Sequence, residues 1–115
     1  MTTEELQHLI DEVKEAIIAG YNPDEIVLFG SAARGDFTQG SDLDLLIVKE
    51  TDKKPMQRVR EVVNCLPHTT DVDVIVLTPQ EKRARQQEAH YLMQEIYRQG
   101  KVLFSRHETS SSELA

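Results

Sequence analysis

The chain is poor in the features that cross-link a protein, anchor it in a membrane or bind it to nucleic acid. Its 115 residues include one cysteine, Cys65, so an internal disulfide is excluded and a cytoplasmic protein is expected. No apolar run approaches the roughly 20 residues of a membrane helix, and no leader is expected. Thirteen Lys and Arg face twenty Asp and Glu, a formal charge of −7. A surface so short of cations disfavours direct binding of DNA or RNA phosphates. His8, His68, His90 and His107 show no zinc-ligand spacing with Cys65, which reads as a core thiol in an apolar helical stretch. No internal repeat spans the chain. The hydrophobic fraction of 39% and the length suit one domain with a modest core.

Hydropathy patterning gives the elements. Thr2 and Glu5 fit a capping box, and Leu6, Leu9, Ile10, Val13 and Ile17 recur at helical spacing, with Gly20 as a stop. Asn22-Pro23-Asp24 turns the chain into a first strand over 25–30. A short helix from Ser31 and a loop with Gly35 and Gly40 lead to a second strand over 42–49. Met56, Val59, Val62, Val63 and Leu66 predict a helix over 55–66, followed by a third strand over 71–77. Thr78-Pro79-Gln80-Glu81 is a helix start, and that helix is expected to run unbroken to Gln99. Ala89, Leu92, Met93 and Ile96 form its apolar stripe, with Tyr97 beside it. Residues 80–88 are nearly all polar, either a solvated helix end or a segment facing a partner or nucleotide. Lys101 to Phe104 reads as a closing strand. The serine-rich stretch 105–115 is expected to be a disordered tail.

Two features carry chemistry. The apolar run Ile26–Phe29 ends in Gly30-Ser31, where glycine permits unusual backbone angles and close approach. Ser31 is a good N-cap, and a helix starting there would aim N–H groups at an anion. Arg34, one turn on, can add a guanidinium fork. The second feature is Asp42-Leu43-Asp44, opening an apolar run. Along a strand Asp42 and Asp44 share a face with Leu46 and Val48, so the face is acidic at its start and apolar at its end. That suits a strand leaving a cleft for a core, although two aspartates facing water at a strand start would look the same. Asp71-Val72-Asp73-Val74 repeats the pattern. If the two strands are neighbours, three or four carboxylates crowd one sheet end and raise one another's pKa unless cations compensate them.

Gly30-Ser31, ten residues and then Asp42-Leu43-Asp44 resembles the signature of the DNA polymerase β-like nucleotidyltransferase superfamily. The fuller runs Gly30–Gly35 and Ser41–Leu45, with Gly100–Phe104, are similar to its minimal nucleotidyltransferase (MNT) branch. The resemblance spans residues 1–104. It implies an α/β (α+β) domain, a small mixed sheet of about four strands flanked by helices. It assigns Gly30, Ser31, Arg34 and Ser41 to the nucleotide's phosphates and Asp42 and Asp44 to two Mg²⁺ ions. The third acid is Asp73, with Asp71 as second choice. It further implies transfer of AMP from ATP to a tyrosine of an all-helical HEPN-type ribonuclease toxin, for which the chain would be the antitoxin. A homodimer and a hetero-oligomer both remain open. Two other functions stay open as well: a nucleotidyltransferase for small molecules, of the aminoglycoside-modifying kind, and an antitoxin that masks its partner without catalysis.

Overall fold

The computed structural model describes residues 2–37, 42–67, 71–88 and 91–106. Its elements in chain order are α1 (Thr3–Tyr21), β1 (Glu25–Phe29), α2 (Ser31–Arg34), β2 (Leu43–Val48), α3 (Pro55–Val63), β3 (Val72–Leu77), α4 (Pro79–Gln87), α5 (Tyr91–Gln99) and β4 (Lys101–Ser105). The four strands form one sheet in the order β3-β2-β1-β4. β1 pairs antiparallel with β2 and β4, whereas β2 and β3 run parallel. This is the expected mixed four-stranded sheet.

Alternation along the strands sends side chains to two helical layers. Ile26, Leu28, Leu43, Leu45, Ile47 and Val76 meet Ile10, Val13 and Ile17 of α1 and Val62 of α3. Val27, Leu46 and Leu77 meet Met93 and Ile96 of α5 on the other face. β2 is therefore covered on both sides, which is why it reads as a nearly continuous apolar run. Its residues are all buried except Asp44. Each of those buried aliphatic side chains contributes about 1.5–3 kcal/mol relative to exposure, and this anchors the one strand position that holds a partly exposed carboxylate.

The helix starts follow their local chemistry. Glu5 N–H donates to Thr2 Oγ1 at 3.1 Å and Thr2 N–H to Glu5 Oε1 at 2.9 Å, the capping box expected for α1. Thr78 and Glu81 repeat it at α4, at 3.0 and 3.1 Å. Several expectations are corrected. α1 continues past Gly20 and ends at Asn22, which takes the left-handed conformation at φ 54°. Gly20 instead lets α3's end pack close: a Cβ there would stand 2.6 Å from Cys65 Sγ. Cys65 is only half-buried. On α3 Val62 is buried, but Met56 and Val63 face outward, so the apolar stripe is narrower than the spacing suggested.

The single helix expected from Thr78 to Gln99 is two. α4 has no buried residue and docks through charge, whereas α5 docks through Met93 and Ile96. A segment without an apolar stripe has nothing to hold it along the sheet in line with one that has such a stripe. Residue Ala89, part of the expected stripe, lies outside the described residues. Two residues of the polar run, Glu81 and Lys82, make structural bonds. Arg58, 6% exposed, donates to Glu81 Oε1 at 2.7 Å, Lys53 O at 2.7 Å and Val76 O at 3.3 Å. Lys82 Nζ lies 2.9 Å from Glu25 Oε1, which also accepts from Tyr97 Oη at 2.7 Å. Burial, then this bond to Glu25, holds the Tyr97 hydroxyl well above the usual phenol range.

β4 runs one residue beyond the expected strand, to Ser105. Arg106 follows, its N–H donating to Asp24 O at 2.8 Å and its guanidinium to Asp24 Oδ1 at 3.2 Å. The rest of the expected tail, 107–115, lies outside the described residues. No helix among the described residues is long and apolar enough to cross a membrane.

Candidate active site

The antiparallel register of β1 and β2 sets Phe29 opposite Asp44, and the parallel register of β2 and β3 sets Asp44 opposite Asp73. Adjacent strands lie about 4.8 Å apart, so the Gly30 turn, Asp44 and Asp73 succeed one another along one end of the sheet. Asp42 precedes β2 and is exposed. The side chains of Asp44 and Asp73 share the face that Phe29 and Ile75 occupy with α5.

The turn is shaped around Asp44. Gly30 is the N-cap of α2, with φ 74° and ψ −153°, a region open essentially to glycine alone. A Cβ at Gly30 would stand 2.2 Å from Asp44 Oδ2 and 3.0 Å from its Cγ. The backbone therefore lies against the carboxylate with no room for a side chain. Ser31, expected as the cap, is instead the first helical residue. Ala33 and Arg34 N–H groups both donate to Gly30 O at 3.1 Å, so the Ser31 and Ala32 amides head the helix, where orphan donors lie.

Asp73 and Asp42 act on Asp44 electrostatically. The Asp44 carboxyl is held above its ordinary range, first by burial, then by the charges of Asp73 and Asp42, with Arg34 opposing them. Arg34 itself is half-exposed, with Nε 3.5 Å from Asp36 Oδ2. Asp71 lies just outside β3, its carbonyl accepting from Leu43 N–H at 3.1 Å. Ser41 lies outside the described residues. Among the described residues no group of three His, Cys, Asp or Glu side chains has closed to metal-binding distance. The donor set nevertheless fits a hard divalent cation: all its atoms are carboxylate oxygens. Their mutual repulsion is countered only in part, by Arg34.

A groove of about 320 Å³ opens beside the turn, lined by Phe29, Gly30 and Arg34 on one side and by Leu92, Glu95, Ile96 and Gln99 of α5 on the other. Sequence reading did not single out Glu95 and Gln99, which look like ordinary helix surface. Their i, i+4 spacing, beside the buried Ile96, was the available signal. A larger cavity of about 410 Å³ holds Glu25, Val48 and Lys82. It belongs to the opposite end of β1 and β2, where Glu25 pairs with Val48, away from the acids.

Three comparisons bear on this arrangement. A protein of Methanocaldococcus jannaschii, provisionally named a protein adenylyltransferase, is 61% identical over 28 residues, 24% of this chain and 28% of that protein. The alignment thus spans little more than a quarter of that curated relative. The fold is similar to a crystal structure from Sulfolobus solfataricus provisionally named a nucleotidyltransferase, with a TM-score of 0.63 and 24% identity over 90% of this chain and 86% of that one. It is also similar to a chain of a toxin–antitoxin structure solved with AMP-PNP, with a TM-score of 0.60 and 19% identity over 88% and 77% of the two chains. The family model described as "Polymerase beta, Nucleotidyltransferase" matches residues 11–109, most of the chain. The chain therefore belongs to the polymerase beta nucleotidyltransferase family.

Proposed function

We propose that the chain transfers AMP from ATP to a hydroxyl, and that the acceptor is a tyrosine of a HEPN-type, all-helical toxin encoded nearby, which the transfer silences. The observation that carries this reading is the packing of Asp44 against the Gly30 backbone on one side and the Asp73 strand on the other. Asp42, Asp44 and Asp73 are the residues that would hold Mg²⁺. Bound there, the ion supplies Lewis-acid polarisation of the α-phosphoryl oxygens and neutralises charge on the triphosphate.

The residues of the chain divide the remaining work. The Ser31 and Ala32 amides and the Ser31 hydroxyl donate to the β- and γ-phosphoryl oxygens, and Arg34 adds a positive charge beside them. Ser41, next to Asp42 in the sequence, belongs to the same phosphate-binding group. The Ser31 and Ala32 amides and Arg34 follow Gly30 at the end of β1, to the β1 side of Asp44, so the pyrophosphate leaves on that side. An in-line attack then brings the acceptor oxygen from the β3 side. Asp73, exposed at that side, takes the proton of the hydroxyl. The new O–P bond forms at the α-phosphorus as the bond to the α,β-bridging oxygen breaks. Donors on the departing pyrophosphate act where charge develops.

The name of the Methanocaldococcus relative, a protein adenylyltransferase, and the likeness to a toxin–antitoxin chain support a protein acceptor. Purified chain, Mg²⁺, ATP and the product of the neighbouring gene are to be mixed and the partner weighed by intact mass spectrometry. The expected result is an increment of one adenylyl group, absent with Asp44→Asn. Tight binding of the partner with no increment would replace this reading with masking. Turnover on a small alcohol, without partner binding, would replace it with a small-molecule enzyme.

A further inference from the structure

In the groove between the Gly30 turn and α5, Gly30 and Arg34 belong to the phosphate end, but the α5 wall has no role in the chemistry above. The groove begins at the residue whose backbone touches Asp44 and extends away over β1, on the face that α5 covers. The sheet order places Asp73 on the other side of Asp44. If phosphates bind at the turn, the acceptor approaches from β3 and cannot occupy this groove. What does lie on the β1 side is the nucleotide. A volume of about 320 Å³ is at the small end of ligand pockets and suits a ring system rather than a protein segment.

The walls match a nucleobase. Phe29 and Leu92 offer apolar surface over the buried Ile96, and Phe29 an aromatic face for stacking. Glu95 and Gln99 stand one helical turn apart on the same wall. A Gln amide matches the N6 and N7 edge of adenine, donating once and accepting once. Glu95 Oε1 already accepts from Arg98 at 2.6 Å, so Oε2 is left to accept from a ligand. One carboxylate oxygen suits the exocyclic amine of adenine. Pairing the N1–H and N2–H₂ edge of guanine calls for two acceptors, and the O6 of guanine would repel the carboxylate.

We propose that this groove seats the adenine ring of the nucleotide, with Gln99 and Glu95 reading its edge and Phe29 and Leu92 against its faces. The inference rests on the nucleotidyl-transfer reading only for the end at which the phosphates bind. It is tested without any acceptor, by titration calorimetry of the full chain with Mg²⁺ and ATP, GTP or inorganic tripolyphosphate. ATP is expected to bind more tightly than GTP or tripolyphosphate. Gln99→Leu, at an exposed position, is expected to weaken ATP about tenfold or more, the scale of one bidentate amide–adenine pair, with tripolyphosphate unchanged. Leu92→Asn, which removes apolar surface without adding charge near Arg34, is expected to do the same through the ring face. Variants that bind ATP like the parent, or that weaken ATP and tripolyphosphate equally, overturn the proposal. So does a parent chain that binds ATP no better than tripolyphosphate, a result that leaves the catalytic reading intact. The expected affinity pattern in a chain that adenylylates no acceptor keeps the base site and removes the catalytic reading.

Discussion

Replacing Gly30 with alanine separates two things that the turn does, and their sizes follow from the geometry. At φ 74° and ψ −153° an L side chain is strained by about 1–3 kcal/mol. The new Cβ also stands 2.2 Å from Asp44 Oδ2, a separation no pair of heavy atoms tolerates, so the carboxylate must swing off its rotamer at about 1 kcal/mol. Together the loss is roughly 3 kcal/mol, or about 12 °C in Tm at roughly 4 °C per kcal/mol for a domain of this size. Gly35 is the internal control. Its φ is 89°, but nothing lies within 4 Å of its Cβ position, so Gly35→Ala carries only the backbone term, about 1 kcal/mol. Thermal melts and urea titrations of both variants give the stability difference. A double-mutant cycle of Gly30→Ala with Asp44→Ala isolates the contact, with an expected coupling of about 1 kcal/mol. Transfer activity should fall by orders of magnitude in Gly30→Ala and persist in Gly35→Ala. Equal destabilisation by the two alanines, or strict additivity with Asp44→Ala, would refute the account of the turn.

Two further outcomes follow from charge. Because Asp44 is held above its ordinary range, the folded chain binds more protons than the unfolded chain in the window just above that range. Metal-free stability conferred by this group therefore falls as pH rises through the window. The difference in Tm between the parent and Asp44→Asn, followed from about pH 4 to 8, should move in favour of Asn as pH rises, and added Mg²⁺ should reverse that trend in the parent alone. A flat difference, or an equal Mg²⁺ response in Asp44→Asn, would count against an acid cluster. Arg58→Ala leaves Val76 O and Lys53 O without their donor and frees Glu81. Discounted for the partial exposure of Glu81, the expected loss is about 2–3 kcal/mol, with nucleotide affinity unchanged. A loss under about 0.5 kcal/mol in urea titration would show the Arg58 network to be dispensable.

The sheet and its order of elements were legible because period-2 alternation in β2 and β3 and the 3.6 period of α1 are strong signals. The same alternation foreshadowed Asp44 and Asp73 on strands, where they stand opposite one another, whereas Asp42 lies just before β2. Where expectation and structure part, a tertiary contact decides. Gly20 looked like a helix stop, but its missing side chain serves Cys65, a residue 45 positions away. Gly30 rather than Ser31 caps α2, since the backbone must take angles that serine does not adopt and must clear Asp44. The break between α4 and α5 was hidden because both segments have good helix propensity, and their directions are set by what each docks against. Arg58 was missed altogether: an arginine on a helix reads as surface until Glu81 and the Val76 carbonyl are seen to surround it. The groove residues Glu95 and Gln99 showed only their i, i+4 spacing, since the neighbours that make them a wall come from β1 and the Gly30 turn.

One consequence of the alternation reaches beyond the position of the acids. The face that carries Asp44 and Asp73 at one end is the face that carries Val27, Leu46 and Leu77 further along, and α5 covers it with Met93 and Ile96. The helix that closes this half of the core is therefore also the wall beside the acids. Ile96 belongs to both, packed in the core and lining the groove. The opposite face has a different second duty: α1 and α3 bury Val13, Ile17 and Val62 against β1 and β2, in the same cluster as Ala32 and Ala33 of α2. Interiors at crystal-like packing density pass on small displacements rather than absorbing them. The shape of the groove is thus tied to the α5 half of the core, and the α1 and α3 half, which buries Ala32 and Ala33, seats the α2 amides.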